Sequence, residues 1–270
     1  MKFSFFPLLA VLLTLFFLVP DNTYARKKNK YGIGMIETNV IEPDMMAYKA
    51  KQEGVVKKEA VLNLNSAANI DSRFREGIDV SHYQGRIDWD QVAGAEKISY
   101  VYIKATEGAT YVDDTYERNL REVRRVGLSV GSYHFYRPNT NWREQLDNLT
   151  NNVKAHEQDL VPIIDIEHRG HVSEAKFLRD LKDFVKHVER HYGKKPLLYS
   201  YQNFYNKHLK GHFKDYHWMI AKYQAEEPVL EDGKDYIMWQ YTQSGKMPGV
   251  KGNVDRSCIM NGFELYLLQM

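Results

Sequence analysis

Cysteine is almost missing from this 270-residue chain: one thiol, Cys258, has no second thiol for an intramolecular disulfide and no Cys or His neighbour at metal-ligand spacing. Disulfide scaffolds and zinc fingers are excluded together, and Cys258 reads as a small buried hydrophobe. An excess of either charge is missing too. With 37 Lys and Arg against 35 Asp and Glu the formal net charge is +2, which argues against a dedicated nucleic-acid binder. The 43% hydrophobic and 27% charged residues fit neither a disordered chain nor a polytopic membrane protein. No short tandem repeat occurs. Aromatic residues are plentiful instead: 19 Tyr, 12 Phe and 4 Trp, enough both to fill a core and to line a sugar or ligand cleft.

One long apolar run, Phe3 to Val19, follows Met1 and Lys2. It is short for a spanning helix and long for the apolar part of a signal peptide, and it points to export. Thr23-Tyr24-Ala25 offers a cleavage position after Ala25, and no Cys follows the run for a lipid anchor. The basic residues Arg26, Lys27, Lys28 and Lys30 sit on the flank that cations tend to hold in the cytoplasm, which conflicts with simple cleavage and export. Residues 1–25 are therefore read as a signal peptide or an N-terminal membrane tether, facing the protein out of the cytoplasm. Residues 26–76 are polar and weakly periodic, a linker or arm. Residues 77–270 carry the folded domain.

In that domain short β-branched and aromatic runs alternate with amphipathic stretches. Strands are expected at Gly77 to Ser81, Ser99 to Lys104, Ser129 to Tyr136, Leu160 to Asp165 and Pro196 to Tyr199. Between them helices are expected at Trp89 to Lys97, Tyr116 to Val126, Trp142 to Glu157 and Ser173 to Tyr192, the last stopped by Gly193. Then the helices fade, leaving strands at Trp218 to Ala221, Tyr236 to Trp239 and Phe263 to Leu268. Repeated βα units followed by strand-only units predict an α/β fold, a modified, incomplete TIM-like (β/α)5β3 barrel.

Polar residues collect at the C-terminal ends of these strands, where a barrel gathers its chemistry. Asp79 lies late in the first, Lys104 and Glu107 close the second, and Tyr133 to Tyr136 close the third. Asp165 and Glu167 close the fourth, Tyr199 the fifth, and Trp239-Gln240-Tyr241 a later one. In Pro162-Ile-Ile-Asp-Ile-Glu167, period-two geometry puts Asp165 and Glu167 on one face about 7 Å apart. Two carboxylates so placed suit a general acid kept protonated by its neighbour, or a polar strand end held by Arg169.

Taken together, Gly77 to Trp89 (GIDVSHYQGRIDW), Ile103 to Gly108, Gly131 to Tyr136, Asp165-Ile-Glu167 and Trp239-Gln-Tyr241 with Val254-Asp255 resemble the glycoside hydrolase family 25 muramidases. The resemblance covers the chain from Gly77 onward. It implies a barrel of eight strands and five helices, and hydrolysis of the β-1,4 bond between N-acetylmuramic acid and N-acetylglucosamine in peptidoglycan glycan strands, with no cofactor or metal. By position it makes Glu167 the general acid, Asp165 the carboxylate beside it, and Asp79 and Asp255 the other two acids of the groove. Tyr133, Phe135, Tyr199, Trp239 and Gln240 fall where the groove wall is expected. Tyr83 stands where such proteins often carry Trp, and Ser257 where Asn is common. Two other readings are a glycan-binding module without turnover and a chitinase-like glycosidase, whose acidic run before Asp-x-Glu is missing here. Oligomeric state is not encoded in these patterns.

Overall fold

The computed structural model describes residues 75–95 and 98–270. The apolar N-terminal segment, the cleavage position at Ala25 and the arm up to residue 74 lie outside them. Among the described residues the strands are β1 (Glu76–Val80), β2 (Ile98–Glu107), β3 (Tyr111–Val112), β4 (Ser129–Phe135), β5 (Ile163–Asp165), β6 (Leu197–Tyr201), β7 (Trp218–Ala221), β8 (Met238–Gly245) and β9 (Val254–Ile259). The helices are α1 (Trp89–Gly94), α2 (Tyr116–Arg125), α3 (Trp142–Asn152), α4 (Glu174–Tyr192) and a single turn, α5 (Gln202–Phe204), that widens into a π-helical turn at Tyr205–Leu209. None is long and apolar enough to cross a membrane.

The sheet runs β1-β9-β8-β7-β6-β5-β4-β2, and β1 also pairs with β2, so eight strands close a ring. Neighbours from β1 through β2, β4, β5, β6 and β7 to β8 are parallel, whereas β9 runs antiparallel to both β8 and β1. The (β/α)5β3 reading holds, with the incompleteness confined to the helices. The ring itself has no free edge. β3 forms a hairpin on β2 outside the ring. Asn148 of α3 pins this hairpin by donating to the carbonyls of Gly108 (2.9 Å) and Tyr111 (3.0 Å).

Alternation along each strand separates two cores. Tyr100, Tyr102, Ile163, Leu197, Met219, Met238 and Ile259 fill the barrel. Ile78, Val101, Ile103, Val130, Ile164, Leu198, Trp218 and Ile220 point outward and pack with Val123, Leu149, Phe177, Leu181 and Phe184 of the helices. Inside, Tyr100 and Tyr102 need glycine opposite: a Cβ on Gly77 would meet the Tyr100 ring at 2.1 Å, and one on Gly131 the Tyr102 ring at 2.3 Å.

α4 forms as its sequence predicts. Phe177, Leu181, Phe184, Val185, Val188 and Tyr192 make one buried stripe at helical spacing, Ser173 accepts from the Lys176 N–H, and Gly193 ends the helix at φ 69°.

Several boundaries differ from expectation. α3 stops at Asn152, and a separate 3-10 turn follows at Ala155–Glu157. Phe263 to Leu268, expected as a strand, instead contains a 3-10 helix at Leu265–Leu268, and the last strand is the more polar β9. The domain begins before Gly77. β1 starts at Glu76, and Arg75 donates to the carbonyls of Ile259 (3.1 Å), Phe263 (2.7 Å) and Met260.

Candidate active site

The inward residues at the C-terminal end of the ring define the site. On β1, Ile78 and Val80 are buried outward, so Asp79 points inward, where it faces Asp255 of β9 in the antiparallel register. On β8, Gln240 takes the inward position and lies opposite Ser257. Its side-chain amide donates from Nε2 to Asp79 Oδ2 (2.7 Å) and toward Asp255 Oδ2 (3.4 Å). Its Oε1 accepts from Tyr199 Oη (2.8 Å) and Tyr223 Oη (2.7 Å). Tyr223, just beyond β7, was not singled out by the sequence reading. Its signal lay in the period of two, which continues the inward positions Met219 and Ala221 of β7 to Tyr223.

Asp165 is buried at the end of β5, in register with Phe135 of β4 and Tyr199 of β6. The ladder continues past the strand, since the Ile166 N–H donates to the Tyr199 carbonyl (2.9 Å) and Ser200 Oγ to the Ile166 carbonyl (2.8 Å). Glu167 follows, half-buried. Burial holds the Tyr199 hydroxyl well above its ordinary pKa, with Tyr201, Tyr223, Glu167 and Asp165 adding to the rise. Tyr199 thus joins the Asp165–Glu167 pair to the Gln240–Asp79–Asp255 set. Arg169 does not serve as a clamp for the pair: it lies 3.6 Å from Glu174.

A bulge in β2 between Lys104 and Thr106 shifts the alternation, so that Lys104 and Glu107, three residues apart, turn the same way. Their ion pair is 2.5 Å long, and Arg137 binds the other oxygen of Glu107. Burial opposes ionisation of Glu107, but Lys104 and Arg137 outweigh it and hold the carboxyl below its usual range. Phe135 lies beneath both cations, 5.5 Å from Lys104 Nζ and 4.5 Å from the Arg137 guanidinium. His168, next to Glu167, is pushed down to about 4 by burial and by Arg137. Tyr133 is half-buried on the inward side of β4.

One expected groove residue is misplaced. Trp239 sits on the opposite side of β8 from Gln240, fully buried, and packs with Tyr241, Cys258 and Met260 on the outer surface of the barrel. Its Nε1 donates to the Lys222 carbonyl (2.9 Å). Period two explains the correction: of the three residues Trp239-Gln240-Tyr241 only the middle one faces inward. Ser257 also has a clear place, with its Oγ 2.9 Å from Tyr100 Oη inside the barrel. Tyr83 is half exposed on the turn after β1, its ring 4.1 Å from that of His82, where a change of aromatic residue disturbs no core. Among the described residues no three His, Cys, Asp or Glu side chains group as a metal site would require.

A closed barrel with three carboxylates at the C-terminal ends of its parallel strands, a fourth at the start of the antiparallel β9 and several aromatic side chains at the same end has the makings of a glycosidase site. The family model for glycosyl hydrolases family 25 matches residues 78–250, and the chain belongs to that family of glycoside hydrolases. It is 35% identical over 190 residues to the uncharacterized protein YegX of Escherichia coli (strain K12), covering 69% of each chain. It is 31% identical over 196 residues to lysozyme M1 of Streptomyces globisporus, covering 67% of this chain and 66% of that protein. The structure of a family 25 glycosyl hydrolase from Bacillus anthracis superimposes with a TM-score of 0.65 at 28% identity, covering 74% of this chain and 95% of the other.

Proposed function

We propose that this glycoside hydrolase cleaves the β-1,4 bond between N-acetylmuramic acid and N-acetylglucosamine in peptidoglycan, with Glu167 as general acid. The observation that supports the reading is that Asp165, two residues before Glu167, ends β5 in register with Tyr199, whose hydroxyl binds the same amide as Asp79 and Asp255. Glu167 protonates the departing glycosidic oxygen. Asp165, on the same strand, orients the N-acetyl group of the cleaved sugar as its oxygen attacks the anomeric carbon, and charge-stabilises the cation that develops. Water then opens this internal intermediate, so the anomeric configuration is retained and no enzyme nucleophile is needed. Tyr133 supplies ring surface along the groove, while Phe135 carries Lys104 and Arg137 over its ring. The substrate lies outside the cytoplasm, which agrees with residues 1–25 acting as an export signal or tether.

Clearing of purified cell walls, with mass analysis of the fragments, tests the reading. New reducing ends are expected on N-acetylmuramic acid. Glu167→Gln should lose about 10²–10⁴ in rate with its melting temperature unchanged. Reducing ends on N-acetylglucosamine, or a variant keeping more than about a tenth of the activity, would overturn the assignment. Wall binding without any cleavage would make the domain a glycan-binding module. Proton NMR of fresh product checks the route: an inverted anomer would move the base role to Asp79 or Asp255.

A further inference from the structure

Gln240 falls where the groove wall is expected, yet its amide has no position left for a sugar hydroxyl. Both lone-pair sites of Oε1 take phenol donors, Tyr199 at 2.8 Å and Tyr223 at 2.7 Å, and Nε2 faces Asp79 at 2.7 Å and Asp255 at 3.4 Å. The side chain is almost wholly buried. The carboxylates choose the orientation: turned over, the amide would aim its oxygen at Asp79 and Asp255, whereas the two phenols, able to donate or accept, then donate to the oxygen left on their side. Tyr201 braces the two donors, its ring edge-on to Tyr199 at 6.0 Å and to Tyr223 at 5.9 Å.

We infer that the Gln240 amide, its oxygen capped by Tyr199 and Tyr223, bridges Asp79 and Asp255 through its nitrogen, so that Gln240 and Tyr223 are positioning residues that hold these two groove acids in place. Asp79 and Asp255 are brought opposite each other by β-pairing alone, and two carboxylates so placed repel. A shared N–H donor in a buried position offsets that repulsion. The kinetic consequence rests on the proposed hydrolysis; the structural one does not. The ionisable groups facing the amide are Asp79 from β1, Asp255 from β9, Tyr199 from β6 and Tyr223 after β7, with Tyr102 of β2 beside Asp79 and with Asp165 and Glu167 acting on Tyr199.

Gln240→Glu separates this role from a merely structural one. Ionised, the new carboxylate puts a third negative charge against Asp79 and Asp255; protonated, its O–H restores a donor. The variant-to-wild-type ratio of kcat on cell walls should be about 10⁻² at pH 7 and recover about tenfold toward pH 5, as the acid form returns. The gap in melting temperature between variant and wild type should narrow over the same range. Tyr223→Phe, which removes one of the two locking donors, should lower kcat about 3- to 10-fold with KM within about twofold. A ratio and a melting-temperature gap that both stay flat with pH would overturn the inference, as would a Tyr223→Phe enzyme whose KM rises at constant kcat. If the wild-type protein cleaves no wall glycan while the gap still narrows, the proposed substrate fails and the positioning role stands.

Discussion

From β1 to β6 the outward face of the barrel lies under α1 to α4, whereas from β7 to β9 it lies under the short helical turn at Tyr205–Leu209, loops and its own large side chains. In the helix-clad part, Ile78, Val101, Ile103, Val130 and Ile164 are covered by helical stripes, and the face tolerates a polar chain beneath α3. There Thr106 Oγ1 meets His134 Nδ1 (2.8 Å), His134 Nε2 meets Gln145 Oε1 (3.3 Å), and Gln145 accepts from the Arg137 N–H (2.8 Å). In the helix-poor part, Trp218 is covered edge-on by Tyr205 at 4.9 Å, and Trp239 by Tyr241 at 6.0 Å. Aromatic side chains are wide enough to close a sheet face with one short helical turn in place of full helices. Rings in this part of the sequence therefore mark missing helices as readily as they mark a sugar groove.

The sharpest way to break that comparison is Trp239→Ala. As core, the ring's loss costs about 3–5 kcal/mol, read in a denaturant melt, with oligosaccharide affinity per folded molecule unchanged. Weaker affinity at unchanged stability would return Trp239 to the groove and dissolve the distinction between the two parts.

The polar chain of the helix-clad part gives the next largest effect. Burial pushes His134 down to about 4 from an ordinary 6.5. The unfolded chain then binds the extra proton first, so stability is full above about pH 6.5 and is lost as pH falls toward 4, by about 3 kcal/mol for this group. His168 is lowered to the same level and acts with the same sign. His134→Gln should flatten the slope of unfolding free energy between pH 6.5 and 4, measured by urea titration; an unchanged slope would show that His134 is not what this face senses.

Gly131→Ala sharpens the contrast between outside and inside, because its Cβ would run into the Tyr102 ring within the barrel. A cost of about 1–3 kcal/mol in thermal unfolding is expected. The smallest effect belongs to the helical cover: Ser173→Ala removes the N-cap of α4 and should cost about 1 kcal/mol, and a neutral result would mean that packing alone holds α4.

What was legible in the sequence divides along the same line. β1, β4, β5, β6 and α4 show a regular period, and Asp79 of β1 and Asp165 of β5 could be placed on the inward face by counting from it. β9 was missed because Val254-Asp-Arg-Ser-Cys-Ile259 carries charge on both sides: Asp255 turns to the groove and Arg256 pairs with Glu76 on the other face. No single polar face appears, so the period-two signal is lost. The Lys104–Glu107 pair was hidden for another reason, since a bulge reverses the parity of β2 and leaves no mark in composition. The amide lock was invisible because it joins β1, β6, β8, β9 and Tyr223 two residues beyond β7, a meeting that only the closed ring creates.

That ring closes through its first and last strands, β1 and β9, with Arg75 fastened to the chain just beyond β9. For assembly this has a kinetic meaning. Contacts between such distant stretches form late and slowly, and until β9 docks, β1 and β8 are bare edges open to wrong partners. Asp79 meets Asp255 in that same step. A chain still emerging from synthesis, or one cut short before residue 254, therefore has neither a sealed barrel nor Asp255 opposite Asp79, and the two meet only when the last strand arrives.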